Sequence, residues 1–328
     1  MKTGPAVALS MVIAFCVVAV LGTIGYLAAR RIAVERDRVI AARLPPDEDR
    51  AAKQAAWERA AAVLAPAQAA LDASARPALK LELTAMAGDD PLASKVGGRA
   101  YWEARRAYPV DAAGKPLHLL AQLDFAALRL KGYPTRGMLQ FFIAADDYYG
   151  ANFDAPRDGD WMGALSRQKN FRVVYWPDPR VDAAVSPPQA ALAKQDALPF
   201  DPASPRRLVW LPKAESIGGS DVHFESIVGA SVDALVERYV SAHREAKPDL
   251  LEEAVRERLQ RFGSKLGGYP DFTQEDPRRS SDRQVLLLQL DSDDGMMWGD
   301  SGIANFFIDP DDLARADFSR VAYHWDCY

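Results

Sequence analysis

The sequence predicts an α+β protein: an internally duplicated β-rich domain with flanking helices, preceded by one transmembrane helix and a helical spacer. Three observations carry this expectation. A run of 24 uncharged residues lies near the start, three sequence blocks recur in order some 170 residues apart, and two amphipathic segments lie between the recurrences. Strands, then helices, then strands argue for α+β rather than a doubly wound parallel sheet.

Size and charge set the bounds. A chain of 328 residues, 49% apolar and 26% charged, can bury a sizeable core as one large domain or two small ones. Its net charge of −5 argues against binding a phosphate backbone, so nucleic acid is not an expected partner. The basic doublets Arg206–Arg207 and Arg278–Arg279 read as loop or capping charges. Two cysteines, Cys16 and Cys327, build neither a disulfide framework nor a metal-ligand spacing.

The first element, residues 1–31, reads as a membrane anchor. "AVALSMVIAFCVVAVLGTIGYLAA", residues 6–29, is long enough as a helix to cross a hydrocarbon core of about 30 Å. It exceeds the apolar region of a cleavable signal peptide and runs directly into Arg30–Arg31. Membrane lipid is therefore an expected partner through residues 6–29. Lys2 and the N-terminal amine precede the run, whereas Arg30, Arg31, Arg36, Arg38 and Arg43 follow it. The positive-inside rule then predicts a single-pass protein of the cell membrane with its large C-terminal part in the cytoplasm.

Residues 32–79 read as a helical spacer. The stretch is rich in alanine, the strongest helix former, with interruptions expected at Pro46 and Pro66. No sustained heptad of large residues supports a coiled coil.

The main domain, residues 80–328, contains the repeat. "SKVGG" at 94–98 returns as "SKLGG" at 264–268, "LLAQLD" at 119–124 as "LLLQLD" at 286–291, and "GMLQFFIAADD" at 137–147 as "GIANFFIDPDD" at 302–312. Order is kept while the spacing drifts, as when strands persist and loops change length. The half-repeats span about 94–176 and 264–328. A proline-rich linker, 177–205, and helices within 231–262 lie between them, with Leu250, Leu251, Ala254, Val255 and Leu259 on one helical face.

The leucine runs read as buried strands. Side chains alternate along a strand, so Gln122 and Asp124 point one way, as do Gln289 and Asp291. The simplest role for each Gln is to satisfy backbone groups inside the sheet, and for each Asp to cap the following loop. The glycine doublets suit turns with positive φ. The alternative is a ligand site at which Gln122, Asp124 and Gln140 from one half meet Gln289, Asp291 and Asn305 from the other about a pseudo-twofold axis.

Motifs with catalytic chemistry are sparse. "GDSG" at 299–302 lacks the histidine context of a serine protease. "DSDDG" at 291–295 has neither the glycine nor the glutamate of an EF-hand, although Asp291, Asp293, Asp294 and Asp300 could supply oxygen ligands to a cation from one loop. No GxGxxG, P-loop or HExxH is present, and no cofactor is expected. Met296 and Trp298 read as core.

The blocks "SKVGGRAYW", "GKPLHLLAQLDFA", "GMLQFFIAADDYYGANFD" and "NFRVVYW", with "SKLGGYPDFTQEDPR", "LLLQLDSDD", "MMWGDSGIANFFI" and "DFSRVAYHWDC", resemble the YwqG-like proteins, a bacterial family of unknown function. The resemblance covers roughly residues 80–328 and is thinnest over 177–230. It implies a mixed α+β fold and, through relatives near toxin operons, an interaction or immunity-like role; it implies no catalytic residues. The anchor, and Glu103 where proline is expected, depart from that pattern. Two functions follow as expectations: a membrane-tethered protein that binds a protein, a peptide or another ligand, and a metal-assisted hydrolase using the acids of 291–300.

Overall fold

The computed structural model describes residues 47–154, 157, 159–180, 197–244 and 247–328. The expected anchor at 1–31, with its apolar stretch 6–29, lies outside these residues, as do Pro46 and positions 181–196 of the proline-rich linker. Among the described residues no helix is long and apolar enough to cross a membrane.

The chain divides into two compact units, Met1–Arg59 and Ala60–Tyr328. The described part of the first is the N-terminal portion of helix α1 (Asp47–Leu64), where Gln54 donates to Glu58 one turn on at 3.0 Å. Alanine-rich sequence makes this helix. Its continuation into the second unit meets Pro66, which has no N–H to donate and starts a single 3-10 turn (Ala65–Ala67) before α2 (Gln68–Ala73).

The second unit is a mixed α/β body built on one curled antiparallel sheet of ten strands. In chain order these are β1 (Arg76–Ala85), β2 (Lys95–Val96), β3 (His118–Asp124), β4 (Met138–Ile143), β5 (Phe171–Trp176), β6 (Arg206–Glu215), β7 (Lys265–Gly267), β8 (Val285–Asp291), β9 (Ile303–Ile308) and β10 (Ala322–Asp326). Their order across the sheet is β10-β9-β8-β7-β1-β6-β2-β3-β4-β5.

Outward from the β1–β6 pair, the two sides follow one plan. β6 leads to β2, β3, β4 and β5, and β1 leads to β7, β8, β9 and β10. Each half's leading strand therefore pairs with the other half's short strand. Lys95 opposes Arg207 on β6, and Lys265 opposes Lys80 on β1. The long β1–β6 ladder runs from Arg76↔Glu215 to Ala85↔Arg206. The same irregularity recurs in both β-meanders: register shifts between Leu119 and Ala121 on β3, and between Leu286 and Leu288 on β8. Bulges of this kind increase local twist.

The twist rolls the sheet up. Leu79, Leu81, Leu123, Leu139, Leu288 and Leu290 face a shared inner core. Phe171 on one edge strand comes within 5.2 Å of Tyr323 on the other, ring to ring. The outer face carries two separate apolar clusters, one around Tyr101, Trp102, Phe142 and Trp176, the other around Trp161, Phe272 and Phe307.

The halves differ most between their first two strands. Residues 86–94 join β1 to β2 directly, whereas 216–264 between β6 and β7 carry α4 (Phe224–Val228), α5 (Val232–His243) and α6 (Pro248–Arg258). Short helices α3 (Trp161–Leu165) and α7 (Pro310–Ala314) lie between the last two strands of each half. Ser231 caps α5 by accepting from Ala234 N at 3.2 Å, and Leu251, Ala254 and Val255 form the buried face of α6.

Candidate functional site

Alternation places Gln122 and Gln140 side by side on the outer face of β3 and β4, fully buried. Gln122 Oε1 accepts from Tyr101 N at 2.9 Å and from Gln140 Nε2 at 2.8 Å, while its Nε2 donates to Pro91 O at 2.8 Å and Ala93 O at 3.0 Å. Gln140 also donates to Tyr101 O at 2.8 Å and accepts from Trp176 Nε1 at 2.7 Å. Every polar atom of the two amides is paired, as burial requires.

Gln289 repeats this on β8. Its Oε1 accepts from Asp271 N at 2.8 Å, and its Nε2 donates to Arg261 O at 3.0 Å and Gly263 O at 2.9 Å. Residues 271, 261 and 263 lie 170 positions beyond Tyr101, Pro91 and Ala93, so the two glutamines pin equivalent loops. Asn305 faces Gln289 across the strands and donates to Asp271 O at 2.9 Å. The backbone N–H groups of Asp124 and Asp291 each donate to a serine hydroxyl, Ser94 Oγ at 2.9 Å and Ser264 Oγ at 3.0 Å. The Asp124 carboxylate accepts from Ala126 N at 2.8 Å, and that of Asp291 from Gly263 N at 2.6 Å. The structure thus brings Gln122 to Gln140 and aligns Gln289 with Asn305. Four strands separate the two sets, which face outward from the curl and do not share a cleft.

Sequence reasoning overlooked the lysines between the serines and glycines. Lys95 and Lys265 are buried. Lys95 Nζ meets Asp89 and donates to Asp90 O at 2.9 Å; Lys265 Nζ meets Glu215 at 2.9 Å and donates to Arg261 O. Burial pushes Lys265 down to about 8 against the pull of Glu215, and lowers Lys95 in the same way. Burial alone would raise Glu215, but Lys265 and the bonds from Lys213 and Tyr269 N hold its carboxyl below the ordinary range. Asp271 and Asp291 nearby are raised by burial. The glycines are needed for room as well as for φ: a Cβ on Gly98 (φ +73) would stand 2.8 Å from Asp89 Oδ1, and one on Gly268 (φ +70) 2.7 Å from Glu215 Oε1. The retained Lys in "SKVGG" and "SKLGG" was the available signal.

The acids of 291–300 form a turn. Asp293 N donates to Met296 O at 2.7 Å, and Gly295 N to Asp293 Oδ1 at 2.8 Å. Asp293 accepts from Arg206 Nη1 at 2.8 and 3.0 Å, joining the turn to β6, while Asp294 and Asp300 are exposed. A recess of about 390 Å³ beside the turn is lined by Asp291, Asp293, Asp294, Phe262 and Met297. Among the described residues no group of three or more His, Cys, Asp and Glu is arranged to hold a metal ion. Met296 and Trp298 are buried in the core, whereas Met297 is exposed.

The large concavity lies elsewhere, over the first half. A cleft of about 1280 Å³ has His118, Leu119 and Ala100 at its floor, Tyr108, Arg99 and Asp89 along one wall, and residues 200–206 with Gly295 along the other. Burial lowers the His118 imidazole, which favours its neutral form. Asp89 is engaged by Lys95, and Asp201 is held below the ordinary carboxylate range by hydrogen bonds from Ser204 and Ala203 N. Arg99 and Arg206 each stand beside a carboxylate, Arg99 Nε 3.4 Å from Asp89 and Arg206 Nη1 2.8 Å from Asp293. Arg206 Nη2 is buried with no hydrogen-bond acceptor among the described residues.

The other half explains why this face is open. Tyr108 Oη donates to Leu117 O at 3.1 Å, with its ring 5.7 Å from Phe142. Arg278 holds the equivalent place, donating to Gln284 O at 2.9 Å with its guanidinium 5.1 Å over Phe307. There the connection 216–264 covers the floor. Ile217 N donates to Ser74 Oγ at 2.9 Å, Ser220 Oγ to Asp271 at 2.6 Å, and Asp221 accepts from Arg278 Nη2 at 2.9 Å. In the first half the corresponding connection, from β1 to β2, is only residues 86–94. What polypeptide fills in one half is a cleft in the other.

A family model described as a domain of unknown function, DUF1963, matches residues 94–327. No curated protein matches the chain.

Proposed function

The chain belongs to the family of domain of unknown function DUF1963, and from that premise we propose that it is a membrane-tethered binding protein whose ligand occupies the cleft over the first half. The observation that carries this is the cleft of about 1280 Å³, formed where the second half covers the same face with its own chain. It is larger than the roughly 300–1,000 Å³ of most small-molecule sites and mixes an apolar floor with a few polar groups. The tether in this reading is the apolar stretch 6–29, and the Lys/Arg asymmetry around it favours a cytoplasmic domain. A YwqG-like identity and an immunity-like role belong to the same proposal and rest on the sequence blocks. Hydrolysis at 291–300 is less favoured, because Asp293 is engaged by Arg206 and Asp291 by Gly263 N.

Site-directed photo-crosslinking in the native membrane tests the site. A benzophenone amino acid replaces Ala203, exposed on the cleft wall, or Leu211, exposed outside it. An adduct from position 203 alone is the expected result. No adduct, or equal adducts from both positions, would remove the cleft as the ligand site.

A further inference from the structure

We propose that the occupant of this cleft is a polypeptide segment of a partner protein that presents a carboxylate to Arg206 and Arg99. The inference rests on the cleft being the ligand site. It deepens that reading by using the second half of the molecule as a template for what the first half takes.

The equivalence is residue by residue. Register sets Lys95 opposite Arg207 and Lys265 opposite Lys80, so β1 maps onto β6 with an offset of 127 (207 minus 80). Asp201 on the cleft wall then corresponds to Ser74, and Pro205 to Ala78. The close approaches agree: a Cβ on Gly98 would meet Pro205 Cβ at 2.9 Å, and one on Gly268 would meet Ala78 Cβ at 3.0 Å. Arg99, Ala100 and Tyr108 correspond to Tyr269, Pro270 and Arg278.

In the second half, residues 217–222 run from Ser74 past Asp271 to Arg278, and Ser74 and Arg278 correspond to Asp201 and Tyr108 of the cleft lining. Asp221 is buried there and its carboxylate meets Arg278 Nη2 at 2.9 Å. The fold's own solution for this surface is therefore an irregular stretch of chain with a buried acid.

The charges in the first half call for the same kind of guest. Tyr108 replaces Arg278, so no cation stands at that point. The cations lie instead on the walls, at Arg206 and Arg99. Arg206 Nη1 is committed to Asp293, while its buried Nη2 has no acceptor among the described residues. A buried donor of this kind is costly unless a ligand supplies an acceptor, and a guanidinium matches a carboxylate best. Arg99, with a side chain 57% exposed, reaches Asp89 through Nε at 3.4 Å and lies within the same cleft. Leu119, Phe200 and Tyr108 leave room for apolar side chains beside the acid.

The experiment starts from the adduct at position 203 in the full membrane-bound chain. Mass spectrometry should identify a peptide of another protein with Asp or Glu close to the cross-linked residue. That peptide, synthesised, should bind the detergent-solubilised full chain, and changing its acid to the amide should weaken binding at least tenfold. Arg206→Met should weaken it similarly; if circular dichroism shows that variant misfolded, Arg99→Met, at a more exposed position, serves instead. An adduct that is a lipid, a small molecule or a second copy of this chain would overturn the proposal and leave the cleft as a ligand site. So would a peptide whose affinity ignores both its own acid and the arginines. No adduct at 203 would overturn site and proposal together.

Discussion

The rings of Phe141 and Phe306 lie 4.7 Å apart, although β4 and β9 are seven places apart in one sheet. In a flat sheet that separation would be about 33 Å. Contact across it means that the sheet has rolled until matched residues of the two halves meet on its inner face. Replacing either phenylalanine by alanine should cost about 3–5 kcal/mol through lost burial and the cavity left behind. The double variant should fall short of the sum by about 0.5–1.5 kcal/mol, measured by urea unfolding as a double-mutant cycle. Strict additivity would mean that the rings do not couple.

Gln289→Leu should show the structural value of the buried amides. Leucine fills much of the volume but leaves Asp271 N–H and the carbonyl of Gly263 unpaired, while the Arg261 carbonyl keeps Lys265 as its donor. Each unpaired buried group costs about 1–3 kcal/mol, so a loss above about 2 kcal/mol is expected. Gln122→Leu should cost at least as much, because Gln140 loses its partner too. Calorimetric melting of the two variants checks the order.

Gly268→Ala should destabilise more than Gly114→Ala. Both glycines have positive φ, +70 and +80, so both substitutions carry the backbone strain of that region. Only Gly268 has a carboxylate oxygen 2.7 Å from the place a Cβ would take, whereas Gly114 has nothing within 4 Å. Equal losses in urea unfolding would show that Glu215 can move aside freely.

His324 should make stability fall on acidification. Burial, with Arg157 adding to it, pushes its imidazole down to about 4 from the ordinary 6.5. Between those values the unfolded chain binds a proton that the folded chain refuses, so this contribution to stability rises with pH from about 4 to 6.5. Full protonation in the unfolded state alone amounts to about 3 kcal/mol. His324→Val, a replacement suggested by Val174 at the matched place beside Gln140, should remove this contribution, so that the difference between variant and wild-type stability in urea unfolding changes with pH over that interval. Parallel curves would assign the acid sensitivity elsewhere.

Much of this architecture was legible locally. The apolar runs at 119–123 and 286–290 are β3 and β8, the phenylalanine pairs mark β4 and β9, and periodicity finds the buried face of α6. The leading strands were passed over, although Leu79, Leu81 and Leu83 alternate with Lys80 and Glu82 as a one-sided strand should. β1 begins at Arg76, directly after a helix, and its place between β7 and β6 depends on residues far along the chain. Glu103, where proline is expected, is buried and accepts from Tyr101 Oη at 2.6 Å, a contact with no periodic signature.

By itself the sequence determined that the leucine runs and phenylalanine pairs are strands and that α6 has one buried face, because period and propensity act between near neighbours. It also determined that the main domain repeats, because strands survive changes in loop length. Only the tertiary structure decided that the leading strands change sides, that Phe141 meets Phe306, and that one half is covered where the other is a cleft. Those outcomes depend on contacts between residues more than a hundred positions apart, and on whether a connecting loop is long enough to cover a face. Neither leaves a mark in any short window of residues.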